Sequence, residues 1–191
     1  MTINHAILGI LSCRPMTGYD IKKIIQESDI MHWSGNNNQV YKALIELHGE
    51  GLVISEVRYQ ESLPSKKIYT VTEEGLKVLR EWTALEPEPA ELRKPFLLQL
   101  KWADVLDGAQ LQALLANYEN QIRICLAMSR EKARRGDGLK PRSSRESFLW
   151  KMIDKNAVST YQNELDWIQG VQKQLSELDA GGADKLELQD S

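Results

Sequence analysis

From Arg145 to Leu178 the chain runs for roughly 34 residues without a proline, and as a helix that stretch would span about 50 Å. A rod of that length is longer than a small domain is wide. Its later part carries an apolar stripe, Tyr161, Leu165, Ile168, Val171, Leu175 and Leu178, at mixed three- and four-residue spacing, which is one helix face. A preceding helix, from Asp107 as N-cap to Arg134, carries Leu111, Leu115, Tyr118, Ile122 and Cys125 in steps of 4, 3, 4 and 3, a seven-residue seam. Such seams need a partner, and an antiparallel hairpin that meets a second subunit would bury both. The expected dimer interface is therefore Leu111, Leu115, Tyr118 and Ile122 with Tyr161, Leu165, Ile168 and Leu175. Pro95 to Leu106 reads as one further helix, residues 136–144 as a loop, and Ala180 to Ser191 as a disordered tail.

The first 85 residues read differently. Apolar positions 3, 6, 7, 10 and 11 make a short helix that Pro15 stops, and Thr17 with Asp20 signals a second helix from Gly18 to about Ser28. Asn36, Asn37 and Asn38 announce a third, about 37–50, whose core face is Val40, Ala43, Leu44 and Leu47. Leu52 to Gln60 alternates as a strand, Ile68 to Val71 follows as another, and Glu61 to Ser65 forms the tip of the hairpin. Thr72 then caps a fourth helix, Glu73 to about Leu85. Glu86-Pro87-Glu88-Pro89 breaks the pattern, because proline disfavours helix in the residue before it. The expected division is 1–85, a linker at 86–94, a helical domain at 95–179 and the tail at 180–191.

Helix, helix, helix, two-stranded hairpin, helix is the order of a winged helix-turn-helix, in which the third helix enters a DNA major groove and the wing, about 53–71, lies along the backbone. The outward residues suit that task. Asn36, Asn37, Asn38 and Gln39 offer amides to adenine edges, Tyr41 a hydroxyl and Lys42 a charge to phosphate, and Arg58, Lys66 and Lys67 put cations on the wing. With 24 Lys+Arg against 27 Asp+Glu, a net charge of -3, attraction by the whole molecule is excluded as the main force, so the footprint must be local. The fold class is mostly α with a small β-hairpin: a winged helix-turn-helix domain plus a C-terminal α-helical dimerisation domain.

Other chemistries find little support. His5, His32 and His48 sit in separate elements without metal-ligand spacing, so neither a metal site nor a cofactor is expected. Gly49-Glu50-Gly51 and Gly136-Asp137-Gly138 are too short for a phosphate loop, there is no nucleophile elbow, and no enzyme is expected. Cys13 and Cys125 are expected as free thiols in a reducing compartment. No apolar run approaches the ~20 residues of a membrane span. A cytoplasmic protein without membrane contact is the expectation. Trp82, Trp102, Trp150 and Trp167 are read as core. The basic residues Arg130, Lys132, Arg134, Arg135, Lys140, Arg142 and Arg145 are read as a solvated loop.

A specific resemblance adds to this reading. His5-Ala-Ile-Leu-Gly-Ile-Leu, Gly18-Tyr19-Asp20-Ile21, Trp33, Gln39-Val-Tyr41-Lys-Ala-Leu44, Leu47, Glu50-Gly51-Leu52-Val53 and Tyr69-Thr-Val-Thr72-Glu-Glu-Gly75 resemble the PadR family of bacterial transcription regulators, in order and register. The resemblance implies a dimeric, repressor-type winged helix whose Tyr41 contacts the DNA backbone. It also implies dimerisation through the long C-terminal helices, as in the long-tailed branch of the family. The implied partners are a double-stranded operator and a second copy of the chain. The alternatives are a winged helix that binds protein, and a regulator that senses a small aromatic effector in the helical dimer interface.

Overall fold

In a computed structural model of the chain, the structure describes residues 3–28, 30–31, 38–60, 63–87, 89 and 94–187. They fall into two compact units, residues 1–89 with 135–149, and residues 90–134 with 150–191.

In the first unit, α1 (Ile3–Cys13) buries Ile7, Leu8, Ile10 and Leu11. A strand that the sequence pattern does not announce, β1 (Met16–Thr17), follows Pro15 and leads into α2 (Gly18–Glu27). Thr17 caps α2, its Oγ1 accepting from the Asp20 amide at 3.2 Å. α3 (Gln39–Gly49) contributes Val40, Ala43, Leu44 and Leu47 to the core, and Gly51 follows it at φ 72°, the left-handed turn that ends a helix.

β2 (Val53–Gln60) and β3 (Leu63–Val71) form the wing, and β1 adds to the other edge of β3, giving the antiparallel order β1-β3-β2. β3 is longer than its apolar run suggests, since it begins at Leu63 inside the segment read as the tip. β1 pairs β3 at Ile68 and Tyr69.

α4 (Glu73–Thr83) starts at Thr72, whose Oγ1 accepts from the Gly75 amide at 3.1 Å while its hydroxyl lies 2.9 Å from the Gly51 carbonyl oxygen. A Cβ at Gly75 would stand 2.2 Å from the Leu52 carbonyl oxygen, which is the physical content of the Thr-x-x-Gly signature. His5 of α1 stacks on Trp82 of α4 at 4.7 Å between ring centroids.

Residues 135–149 belong to this first unit rather than to a freely solvated loop. Leu139 packs on the core, and Arg142 donates to the carbonyl and the hydroxyl oxygen of Ser12 at 3.3 and 3.2 Å while pairing with Glu146 at 2.5 Å. That ion pair holds the Glu146 carboxyl below its ordinary range. The basic residues are only partly a solvated face, since Arg134 pairs with Glu131 and Arg130 donates to Gln162.

The second unit is helical. α5 (Pro95–Lys101) is shorter than its pattern predicts and passes through a 3-10 turn at Ala103–Val105. Asp107 and Gln110 then cap α6 (Gly108–Arg135) reciprocally, each side chain accepting from the other's amide, at 2.8 and 3.1 Å. α7 (Ser144–Glu187) continues well past Leu178, with no proline to stop it; residues 188–191 lie outside the described residues.

The core of this unit is Phe96, Leu115, Ile122, Leu126, Leu165 and Ile168, with Leu111, Tyr118, Tyr161 and Leu175 packed against it. The two seams therefore face each other within one chain. Leu115 and Ile168 are fully buried, so they have no surface left to offer a partner subunit. Trp102, read as core, is 64% exposed, and Trp167 is partly exposed as well. Both cysteines are free thiols.

Candidate nucleic-acid interface

The outward face of α3 is set by what the inward face does. With Val40, Ala43, Leu44 and Leu47 in the core, Asn38, Gln39, Tyr41, Lys42, Ile45 and Glu46 are left exposed on the other sides. Asn36 and Asn37 lie outside the described residues. Asn38 occupies the N-cap position with helical backbone angles and makes no side-chain cap hydrogen bond, so its amide is not taken up by the helix start. Tyr41 lies against the first turn of α2. A Cβ at Gly18 would come within 2.8 Å of its ring and displace it.

The wing divides its charges. Residues directly opposite each other in an antiparallel pair share a face, and neighbours along a strand alternate. Arg58 pairs in register with Lys66, and Val57 with Lys67, so Lys66 and Lys67 point to opposite faces. Arg58 is also held by Glu56 at 2.5 Å, both side chains well exposed, which partly neutralises it. Lys67 sits over the Tyr69 ring at 5.3 Å. The three wing cations are therefore not one patch.

In the helical unit, the Glu164 carboxylate accepts from the Tyr118 hydroxyl at 2.7 Å and pairs with Lys94. Burial raises the pKa of Glu164, but the bonds from Lys94 and Tyr118 outweigh it and leave the carboxyl below its ordinary range. Burial and the same carboxylate push the Tyr118 phenol up. Phe96 stacks on Tyr118 at 3.5 Å, with Trp167 edge-on at 6.3 Å from Phe96. A shallow depression of about 380 Å³ elsewhere on this unit is lined by Ala133, Lys151, Asp154, Lys155, Val158 and Ser159, none of them aromatic. Among the described residues no cluster of His, Cys, Asp and Glu could hold a metal ion.

Residues 7–81 match the Transcriptional regulator PadR-like family, and residues 92–176 match the family described as Virulence activator alpha C-term. Residues 7–81 form a PadR-like transcriptional-regulator domain. It is 29% identical to the Negative transcriptional regulator PadR of Bacillus subtilis (strain 168) over 113 residues, 59% of this chain and 62% of that one. The chain thus spans rather less than two thirds of that relative's length.

The crystal structure of Bacillus subtilis PadR in complex with operator DNA superposes with a TM-score of 0.75 at 23% identity, over 88% of this chain and 95% of that one. The structure of the same protein in complex with p-coumaric acid gives 0.69 at 24% identity, over 88% and 92%. The fold is that of the PadR-like regulators: a winged helix followed by a helical region. Among the described residues no helix is long and apolar enough to cross a membrane.

The sequence pattern finds Gln39, Tyr41, Lys42 and the wing cations on the exposed surface, but it misses Ile45. The signal that could have found it is the helical wheel: Ile45 falls outside the face that Val40, Ala43, Leu44 and Leu47 define.

Proposed function

We propose that this chain is a cytoplasmic, dimeric, sequence-specific DNA-binding transcriptional regulator of the repressor type, and not an enzyme. α3 enters the major groove and the wing lies on the backbone. Asn38 and Gln39 read base edges, Tyr41 and Lys42 contact phosphate, and Arg58, Lys66 and Lys67 steady the wing. The observation that carries this reading is the exposed amide, hydroxyl and ammonium groups on the outer side of α3, in a PadR-like domain.

Dimerisation is assigned to the helical unit, through the partly exposed seam residues Leu111, Tyr118, Tyr161 and Leu175 together with a further surface. Leu98, Trp102, Val105, Ile124, Met128 and Leu178 remain 46–86% exposed there, apolar area that a monomer would leave in water. Selection of bound duplexes from a random pool tests the reading, followed by titration at several salt concentrations. A protein-binding winged helix would select no sequence and show no salt-dependent shift of duplex.

The effector reading draws on one feature, the stacked Phe96 and Tyr118 with Trp167 beside the Lys94–Glu164 pair, which gathers aromatic rings next to a cation. The p-coumaric acid complex of the Bacillus relative is a phenolic acid of the matching kind. A thermal shift with small phenolic acids tests it, and no shift across the series would remove the effector from the account.

A further inference from the structure

The core face of α3 fixes which residues a groove meets first. At about 100° per residue the direction opposite Val40, Ala43, Leu44 and Leu47 is occupied by Asn38, Lys42, Ile45 and Gly49, while Gln39 and Glu46 lie about a quarter turn to one side and Tyr41 to the other. This pole holds an amide, a cation and, next in line, a branched hydrocarbon 70% exposed to water. Folding gives no reason for isoleucine at that place. It makes no part of the core, and β-branched residues are poorer helix formers than the straight-chain ones that surface positions favour.

The major groove supplies a reason. Its one exposed apolar group is the thymine C5-methyl, and the residue types that recognise it are apolar side chains. Asn38 lies about 10 Å from Ile45 along the helix, roughly the rise of three base pairs.

We infer that Ile45 is a base-reading residue that packs on a thymine methyl group in the major groove, on the same pole of α3 as Asn38 and Lys42. This rests on the DNA-binding reading and adds one base to it. It assigns the apolar part of sequence discrimination to a residue that makes no hydrogen bond to DNA.

The test uses the full chain and a duplex selected from a random pool, with each thymine replaced singly by deoxyuridine, which removes the methyl and leaves the hydrogen-bonding edge unchanged. At one position of the half-site, uracil weakens the wild-type protein about threefold to fivefold, the worth of one buried methyl. Ile45→Ala weakens binding to the parent duplex by at least that factor and is indifferent to uracil at the same position. Its melting temperature does not fall, because the side chain is exposed and alanine is the better helix former. The inference is overturned if the wild type tolerates every uracil, if the selected half-site contains no thymine, or if Ile45→Ala keeps the full uracil penalty. Failure to select any duplex is a different result, since it removes the DNA-binding reading itself.

Discussion

Gly75→Ala and Gly9→Ala make the same chemical change in two helices and are expected to have opposite effects. A Cβ at Gly75 would stand 2.2 Å from the Leu52 carbonyl oxygen and 2.8 Å from Val71 Cγ2, and the first of these neighbours is backbone and cannot rotate away. That oxygen also accepts from the Thr72 amide at 3.0 Å, so relieving the clash disturbs the junction between β2, β3 and α4 together. Overpacking of this kind costs about 1–3 kcal/mol, and loss of the Thr72 cap about 1 kcal/mol more. Alanine returns about 1 kcal/mol through its better helix propensity. The net is a destabilisation of about 1–3 kcal/mol, or roughly 5–20 °C in Tm for a domain of ~60–100 residues. At Gly9 nothing lies within 4 Å of the added atom, so only the propensity acts and stability rises by about 0.5–1 kcal/mol. Thermal unfolding of both variants beside the wild type, followed by circular dichroism, measures the pair. A Gly75→Ala protein that melts at or above the wild-type temperature would refute the argument from close approach.

Tyr41→Phe removes a hydroxyl assigned to phosphate and is expected to weaken selected and scrambled duplexes alike, by about 1 kcal/mol, in binding titrations. Lys66→Ala and Lys67→Ala are expected to differ in their effect on the slope of log affinity against log salt, one flattening it by about 0.9 and the other by less, because the two side chains occupy opposite faces of the wing. Val105→Glu together with Met128→Glu is expected to shift the protein to monomer in sedimentation while leaving helix content intact, since both side chains are exposed within the chain. Glu164 titrates below its ordinary value of 4.5 in the folded protein. Its contribution to stability is therefore complete above 4.5 and lost as the pH falls through the lower folded value. Glu164→Gln should lower stability at neutral pH and flatten the acid limb of the unfolding curve, and an unchanged limb would show that Lys94 and Tyr118 do not hold that carboxylate.

Features set by neighbouring residues were the legible ones. Thr17, Thr72 and Asp107 each cap the helix they precede, because a cap needs only a side-chain acceptor two or three residues before an amide. The two seams were equally legible as buried faces. What periodicity does not contain is the identity of the covering surface, and here α6 and α7 cover each other. Arg142 escaped for the same reason, its contact with Ser12 lying 130 residues away in sequence. β1 has only two residues, too few for an alternating pattern, and exists because β3 offers it an edge. Ile45 was legible in principle, since the four core positions of α3 already define the opposite pole.

The sparse positive charge of the candidate interface bears on what the proposed dimer would contribute. With a net charge of -3, Arg58 engaged by Glu56 and the two wing lysines on opposite faces, a single winged helix presents few cations to a phosphate backbone. Its hold on random sequence is correspondingly weak, which helps discrimination but leaves one half-site short of affinity. Linking two such modules makes the second contact intramolecular and multiplies affinity without adding any charge. The gain is lost if geometry forbids both contacts at once, so on the proposed reading the helical unit would raise DNA affinity by holding two such modules together. In this account the exposed apolar residues of α5, α6 and α7 and the base-reading pole of α3 are two parts of one specificity device, one supplying affinity and the other the choice of sequence.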